Sequence, residues 1–163
     1  MDSEAFLPLE PDELSPRFPR RIRSLNSLVE RSVARAKEGG FVTLENLQKA
    51  ITQEYIGRNM RFGQEQVWFG VSFYLWAKHR ETPVWLTFWP WPSNNMERLR
   101  RALEPLRQQE PPGVIDLDER DQYYPGTMNV PIAIKTGVEE DEVLDAVVEQ
   151  LRRVAELISS GTN

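Results

Sequence analysis

The aromatic side chains of the sequence are concentrated in one stretch, and their types and spacing suit the stacking of flat chemical groups. All 5 tryptophans lie between positions 68 and 91. A sheet face rich in Trp can stack a planar ligand, a nucleobase or a proline-rich peptide, or it is covered by the N-terminal segments or by a second subunit. The candidate binding residues are Trp68, Tyr74, Trp76, Trp85 and Trp89.

Arginines form a second candidate site near the N-terminus. Two predicted helices separated by Gly39-Gly40 and followed by a hairpin are typical of a helix-turn-helix with a wing, and positive charge there suits DNA phosphates. The second of these helices, over 44–56, is scarcely basic, so nucleic-acid binding is the alternative rather than the first hypothesis. Its candidate residues are Arg17, Arg20, Arg21, Arg23, Arg31 and Arg35.

An acidic loop over 116–121 raises a further alternative, a metal-dependent hydrolase. Nucleases that resemble restriction enzymes place an Asp on one strand and an acid-x-Lys triplet on the next, because Mg²⁺ needs two carboxylates and the attacking water needs a base. Asp116 and Asp118 face the triplet Ala133-Ile134-Lys135, which lacks the second carboxylate. Arg120 occupies a ligand position of an EF-hand loop, so we assign no metal ligand.

Other chemistry is excluded or weakly signalled. The chain has no cysteine, which excludes disulfides, zinc fingers and thiol catalysis. Its single histidine, His79, lies between Lys78 and Arg80, which lower its proton affinity without orienting it as a base. The 9 glycines form neither GxGxxG nor a P-loop. We therefore predict no cofactor and no catalytic residue.

The net charge of −5 is the average of three unlike segments. Residues 1–13 carry −5, residues 14–110 carry +7 and residues 111–163 carry −7. Such asymmetry indicates either an electrostatic partner or an internal match between the basic middle and the acidic C-terminal third. We favour the internal match, because surfaces of mixed charge are usual.

The elements that must position these residues follow from hydrophobic periodicity. Four prolines in residues 1–19 predict an extended acidic arm. Apolar residues recur at helical spacing over 22–36 and over 44–55, which predicts a helical pair within 20–62. The period becomes 2 over 66–76 and again over 84–89, so these segments are predicted to form a hairpin with an aliphatic face and a Trp face.

The rest of the chain completes the predicted fold. A helix capped by Ser93 or Asn94, short strands over 114–118 and 130–135, and a long helix from Glu139 to about residue 159 follow in order. Pro131 predicts an edge position or a strand start. The element order is then ααββαββα, with two ββα units in 66–163. We predict one α+β domain over 20–163, a two-layer sandwich with an antiparallel sheet of about four strands.

These features favour a non-catalytic binding or interaction domain. The Trp face would take a small aromatic ligand, a peptide from a protein partner, or the second copy of a homodimer. Residues 1–13 lack a secretory signal and no apolar stretch is long enough to span a bilayer, so we expect a cytoplasmic protein without membrane contact.

Overall fold

The computed structural model describes residues 17–44, 50–51, 55–79 and 81–161. The helices are α1 (Arg17–Glu38), α2 (Phe73–His79), α3 (Met96–Ala102), α4 (Glu104–Arg107) and α5 (Glu140–Ser160). The strands are β1 (Thr43–Leu44), β2 (Ala50–Ile51), β3 (Tyr55–Phe62), β4 (Glu65–Ser72), β5 (Val84–Phe88), β6 (Ile115–Asp116) and β7 (Met128–Ile132). None of these helices combines the length and apolarity that crossing a membrane requires.

All strand pairs are antiparallel, and they form one sheet in the order β1-β3-β4-β5-β7-β6. The short strand β2 pairs with β3 on the same edge as β1. The α+β class and the antiparallel sheet are confirmed. The prediction of about four strands is wrong, because β1, β2 and β3 lie where the sequence pattern favours helix.

The predicted second helix over 44–56 is wrong in its described parts. Leu44 lies in β1, β2 covers two further positions, and β3 begins at Tyr55. Gly57, directly after this segment, lies inside β3 opposite Gly70. The apolar spacing over 44–55 also fits short strands, and pairing with β4 decides between the two, because propensity is a weaker effect than tertiary contact. The segment 45–49 lies outside the described residues.

The first helix begins earlier than its apolar stripe indicates. α1 starts at Arg17 and has 22 residues. Pro19 lies in the first turn, where its missing N–H leaves no helical hydrogen bond unmade. Residues 1–16 of the predicted arm lie outside the described residues.

The predicted strand over 66–76 is correct only to Ser72. β4 ends there and α2 follows, so Tyr74 and Trp76 belong to a helix. The Ser72 hydroxyl accepts the Leu75 amide at 3.2 Å, which caps the new helix. The predicted antiparallel pairing of this strand with 84–89 is confirmed, but α2 rather than a tight turn forms most of the connection.

The C-terminal half follows the predicted order with small corrections. The cap of α3 is Asn95, whose side chain accepts the Arg98 amide at 3.0 Å, rather than Ser93 or Asn94. α3 ends at Ala102, shortly before Pro105, and Pro105 lies in the first turn of α4, where a proline is tolerated. β6 pairs only with Met128 and Asn129 of β7, so Pro131 has a strand neighbour, β5, on one side only. At this position β7 is therefore an edge strand among the described residues, where a proline is tolerated.

One face of the sheet packs against α1, α3, α4 and α5. We call this set the helix-side cluster; its strand residues are Met60, Phe62, Val67, Phe69, Val71, Val84, Leu86, Phe88, Met128, Val130 and Ile132. The predicted apolar stripe of α5 is buried here throughout. Arg31 pairs with Glu140 and Asp141, and Arg35, one turn later, pairs with Asp145. The two long helices therefore run side by side in the same direction.

These pairs also bear on the charge asymmetry. Lys78–Asp121 and Arg107–Asp116 likewise join the basic middle to the acidic C-terminal third, each at 2.9 Å. Five described ion pairs thus link the two segments, as an internal charge match requires.

Candidate binding site

The second face of the sheet is aromatic and is built by β4 and β5. Trp68 lies on β4 and Trp85 on β5, and the register Gly70↔Trp85 brings them to the same face. Both are buried, with relative exposures of 3% and 0%. The Trp85 indole N–H donates to the Thr82 carbonyl at 2.7 Å. This face is therefore filled by its own large rings.

Two glycines make room for the Trp68 ring. A Cβ added to Gly57 would lie 2.7 Å from the Trp68 indole and 2.3 Å from the Phe69 carbonyl oxygen. A Cβ added to Gly70 would lie 2.2 Å from the Ile56 carbonyl oxygen. The ring thus packs directly on the backbone of β3, which only a residue without a side chain permits.

α2 and the loop over 117–127 cover these rings. The resulting aromatic-side cluster consists of Trp68, Leu75, Trp85, Leu117 and Tyr124. Two backbone hydrogen bonds join the ends of the loop. The Leu117 amide donates to the Thr127 carbonyl and the Gly126 amide donates to the Asp118 carbonyl, each at 2.9 Å. The chain's own loop and α2, rather than a second subunit, therefore cover the two strand tryptophans.

A series of four ring contacts, three of them stacked and the last one edge-to-face, crosses the rim of this cluster. Successive centroid distances are 6.2 Å (Trp91–Trp89), 5.2 Å (Trp89–Tyr124), 5.4 Å (Tyr124–Tyr74) and 4.8 Å (Tyr74–Tyr123). We call these five residues the aromatic row. Its central ring, Tyr124, is buried, whereas Trp89, Trp91 and Tyr74 are half-buried and Tyr123 is 43% exposed. The row therefore presents ring surface to solvent on both sides of a fixed centre.

A buried carboxylate holds one end of the row. The Asp121 side chain is 5% exposed and accepts the Tyr74 hydroxyl at 2.7 Å and the Lys78 ammonium at 2.9 Å. Its other oxygen accepts the backbone amides of Tyr123 and Tyr124. Burial alone would raise the pKa of Asp121, but these four hydrogen bonds outweigh burial and hold that pKa well below its ordinary value.

The same contacts act on the partners of Asp121. Burial and the hydrogen bond to Asp121 raise the pKa of the Tyr74 hydroxyl. The hydrogen bond to Asp121 raises the pKa of Lys78, whose ammonium lies 5.4 Å from the Tyr74 ring centroid. The group is thus a neutral phenol between an anion and a cation, which is a stable structural arrangement.

The other end of the row is fixed by Asn94. Its side-chain amide donates to the Trp89 carbonyl at 2.8 Å and to the Gln66 carbonyl at 2.9 Å, and its oxygen accepts the Gln66 amide at 2.7 Å. The segment that carries Trp89 and Trp91 is therefore tied to the start of β4. Both ends of the row are set before any ligand arrives.

Buried hydroxyl and amide groups connect the row to the sheet. The Tyr124 hydroxyl and the Ser72 hydroxyl share a hydrogen bond of 2.9 Å. The Thr127 hydroxyl donates to the Tyr124 carbonyl at 2.8 Å and accepts from the Asn129 amide at 2.9 Å. These contacts orient the central ring, because a buried polar group without a partner would cost free energy.

The predicted aromatic residues thus divide into three sets. Trp68 and Trp85 are interior residues of the cluster, and Tyr74 and Trp89 belong to the row. Trp76 is 38% exposed on α2 and makes no ring contact with a described residue of the row. Sequence reasoning missed Trp91, Tyr123 and Tyr124. Two sequence features could have indicated them: the alternation of Trp89-Pro90-Trp91, and the adjacent tyrosines beside a Pro-Gly turn.

The arginines of the nucleic-acid alternative are also divided. Arg31 and Arg35 pair with α5, whereas Arg20, Arg21 and Arg23 are exposed and pair with no described residue. Arg17 begins α1. The helix-turn-helix itself is absent from the described residues, since strands replace its second helix.

The acidic loop has structural partners that account for its charges. Asp116 pairs with Arg107, and Asp118 accepts the Arg120 amide at 2.7 Å. Lys135 follows the opposite end of β7 and pairs with Glu142 at 3.4 Å. Among the described residues no group of three His, Cys, Asp or Glu side chains could hold a metal ion.

His79 contacts Trp85 rather than a carboxylate. Their ring centroids lie 5.8 Å apart, and burial followed by the charge of Lys78 lowers the pKa of His79. A neutral imidazole on an indole is a packing contact.

Comparisons of the chain with protein-family models, with curated proteins and with solved structures gave no match. The geometry of the site is therefore the basis for any proposal about function.

Proposed function

We propose that the protein is a non-catalytic interaction domain whose aromatic row binds an extended, proline-containing peptide segment of a protein partner. The single observation that supports this is the continuous series of ring contacts from Trp91 to Tyr123, which is half-buried at Trp91, buried at its centre and exposed at Tyr123. Grooves lined by aromatic rings are the usual receptors for polyproline II segments.

The dimensions of the row suit such a segment. Its four centroid distances of 6.2, 5.2, 5.4 and 4.8 Å bring it to at most about 22 Å, which is about seven residues of polyproline II at ~3.1 Å each. Asp121 and Asn94 hold the two ends in place, so binding orders few side chains of the domain. Such preorganisation lowers the entropic cost of association.

A small aromatic ligand fits the surface less well than a peptide. The cleft beside the row, of about 390 Å³, is open and lined mostly by charged or polar side chains, among them Lys78, Asp118, Arg120 and Asp121. Small-molecule sites are predominantly apolar and enclose most of the ligand. A flat row with a polar border favours an extended chain.

A homodimer through this face is also less favoured. The large hydrophobic side chains exposed among the described residues are Trp76, Tyr123 and Val138. A stable interface buries about 800 Å² on each partner, much of it apolar at its centre. Three scattered side chains favour a small, transient contact of the kind that peptide segments make.

Single-stranded nucleic acid would also stack on aromatic rings, but the charge near the row opposes it. Asp118, Glu119 and Asp121 lie in the loop that carries Tyr123 and would repel phosphates. The exposed arginines of α1 belong to a helix of the other face.

Binding to a proline-rich peptide array, followed by calorimetry with decaproline, tests the proposal. We expect Trp91→Ala and Tyr123→Ala each to weaken binding at least about tenfold, because the first removes a half-buried ring and the second an exposed ring of the row. Trp76→Ala is the matched control, since Trp76 is 38% exposed compared with 43% for Tyr123 and lies outside the row. It should bind like the unchanged protein.

Two outcomes contradict the proposal. One is the absence of binding to any proline-rich peptide at about millimolar concentration by a folded protein. The other is loss of binding in Trp76→Ala with retention in Tyr123→Ala, which would place the contact elsewhere on α2.

A further inference from the structure

A cleft lies on the helix side of the sheet, away from the aromatic row. α1 ends at Glu38 while α5 continues to Ser160, and the turn between β3 and β4 lines the same cleft as the last turns of α5. The cleft has a volume of about 650 Å³, within the range of small-molecule sites. Its lining includes Phe41, Phe62, Arg98, Arg152, Glu156 and Ile158.

Two guanidinium groups line this cleft, and each makes contacts with neighbouring side chains. Arg98 donates to Glu65 at 2.9 Å, and the Glu65 side chain, 3% exposed, also accepts the Asn95 amide. Arg152 places its guanidinium carbon 5.3 Å from the Phe41 ring centroid. The nearest carboxylate to Arg152 is Glu149 at 4.0 Å, which is the limit of an ion pair. Donors of both arginines therefore remain available to a ligand.

The floor of the cleft is apolar. Phe41 is half-buried and lines the cleft, and Phe62 and Ile158, which are 2% and 3% exposed, lie beneath its surface. Gly40 and Gly63 border the cleft with φ of 78° and 60°, and a Cβ at either would meet no atom within 4 Å. These two glycines thus add no side chain to the lining of the cleft.

We infer that this cleft binds a small organic carboxylate with an apolar body. A guanidinium group donates two parallel hydrogen bonds to a carboxylate, and an apolar floor takes the remainder of such a ligand. Glu156 lines the same cleft and the C-terminal end of α5 lies beside it, so a single negative charge is better tolerated than two. This favours a carboxylate over a phosphate monoester.

The test uses 3-phenylpropionate, its neutral amide and phenyl phosphate as probes, with amide chemical shifts and calorimetry on the full chain. We expect 3-phenylpropionate to bind with a Kd of about 1 mM or tighter and to shift the amides of Gly40, Phe41 and Gly63. The neutral amide should bind at least about tenfold more weakly, and phenyl phosphate should bind more weakly than the carboxylate.

Arg152→Gln should weaken binding of 3-phenylpropionate at least about tenfold, because it removes the charge and the fork while leaving an exposed side chain. Arg153→Gln is the matched control: Arg153 is exposed on the next position of α5 and does not line the cleft. Its binding should not change. Equal binding of the acid and the amide, shifts confined to another surface, or no binding at about 10 mM by the folded protein would overturn the inference.

Discussion

The two faces of the sheet are held by different kinds of contact. The helix-side cluster is almost entirely aliphatic and phenylalanine side chains under helices of 22 and 21 residues. The aromatic-side cluster is five residues under a helix of seven residues and a loop, and it contains buried hydrogen bonds to Trp85, Ser72 and Tyr124. Burial of apolar surface is the main stabilising contribution on the helix side. On the aromatic side, hydrogen bonds also fix the positions of large rings.

This difference shows how one strand pattern supports two roles. Adjacent residues of β5 point to opposite faces, so Trp85 and Leu86, with Cα atoms about 3.8 Å apart as in any trans peptide, lie in separate clusters. The side under long helices buries most of its rings and leaves only partly buried ones, such as Phe41, at its border. The side under a short cover leaves its rim partly open, and that rim is the proposed binding surface.

The largest expected effect compares these two neighbours. Trp85→Ala should lower the free energy of unfolding by about 4 kcal/mol and Leu86→Ala by about 3 kcal/mol, because both side chains are fully buried. Chemical denaturation measures both. If the aromatic side is a true second core, the two changes fall in the same range.

Trp76→Ala provides the control, with an expected change below about 0.5 kcal/mol for a surface substitution. A loss for Trp85→Ala as small as that control would break the comparison. It would mean that the cover of α2 and the loop opens readily and that the tryptophan face is accessible after all.

The sequence predicted the faces of the sheet well where strand alternation was unbroken. Val67, Phe69 and Val71 were placed opposite Trp68, and the structure separates them in this way. The alternation then continued past Ser72 although the chain turns into α2. Period-2 and helical patterns overlap over a few apolar residues, so the end of β4 depends on the Ser72 cap and on packing with the distant loop.

β3 was missed for a related reason. Its core-facing residues, Ile56, Met60 and Phe62, are interrupted by Arg58, whose guanidinium reaches Glu30 at 2.8 Å. A charged residue at a core-facing position hides the alternation. The glycine at position 63 was the remaining sequence signal of a hairpin, and its φ of 60° in the structure is typical of a hairpin turn.

Two residues of the aromatic row were among the candidate binding residues of the sequence. The aromatic composition of 68–91 indicated a stacking surface, and Tyr74 and Trp89 do lie in the row. Tyr123 and Tyr124 come from a loop that the sequence connects to the row by nothing local. Their place depends on long-range hydrogen bonds from Tyr74 and Lys78 to Asp121, which a single sequence does not display.

The second largest loss of stability is expected for a substitution at Gly70, where β4 approaches β3 closely. Gly70→Ala places a methyl group 2.2 Å from the Ile56 carbonyl oxygen, which requires β3 to move away from β4. We expect a loss of about 3 kcal/mol, at the upper end for overpacking. The measurement is chemical denaturation, with near-ultraviolet circular dichroism to follow the Trp68 environment.

Gly137→Ala is the matched glycine, because its added Cβ meets no atom within 4 Å although its φ of 74° carries some strain. It should cost about 1 kcal/mol. A Gly70→Ala variant as stable as Gly137→Ala would show that the strands adapt and that the ring of Trp68 does not require the close approach.

Removing the charge of Asp121 should have an intermediate effect and should change the pH dependence. Asp121→Asn weakens four hydrogen bonds to a buried carboxylate, so we expect a loss of about 2 kcal/mol at neutral pH. The pKa of Asp121 is lower in the folded protein than its ordinary value of 3.8. Its contribution is therefore present above about pH 4 and is lost as the pH falls through the folded-state pKa.

Urea denaturation from pH 7 to pH 2 checks this sign. The unchanged protein should lose stability on acidification more steeply than Asp121→Asn, so that the two curves converge at low pH. Asp118→Asn, a neighbouring carboxylate that accepts the Arg120 amide at the exposed surface, serves as control. Parallel curves for the unchanged protein and Asp121→Asn would contradict the assigned role.

The smallest expected effect lies at the border of the helix-side cluster. Arg35→Ala removes the ion pair with Asp145, whose side chains are 39% and 69% exposed, so we expect a loss below about 1 kcal/mol. Because the pair is exposed, about 1 M salt should reduce this loss. The loss from Asp121→Asn should persist in the same salt, since its carboxylate is 5% exposed. Equal salt sensitivity of the two variants would mean that the aromatic side is as open to solvent as the helix border.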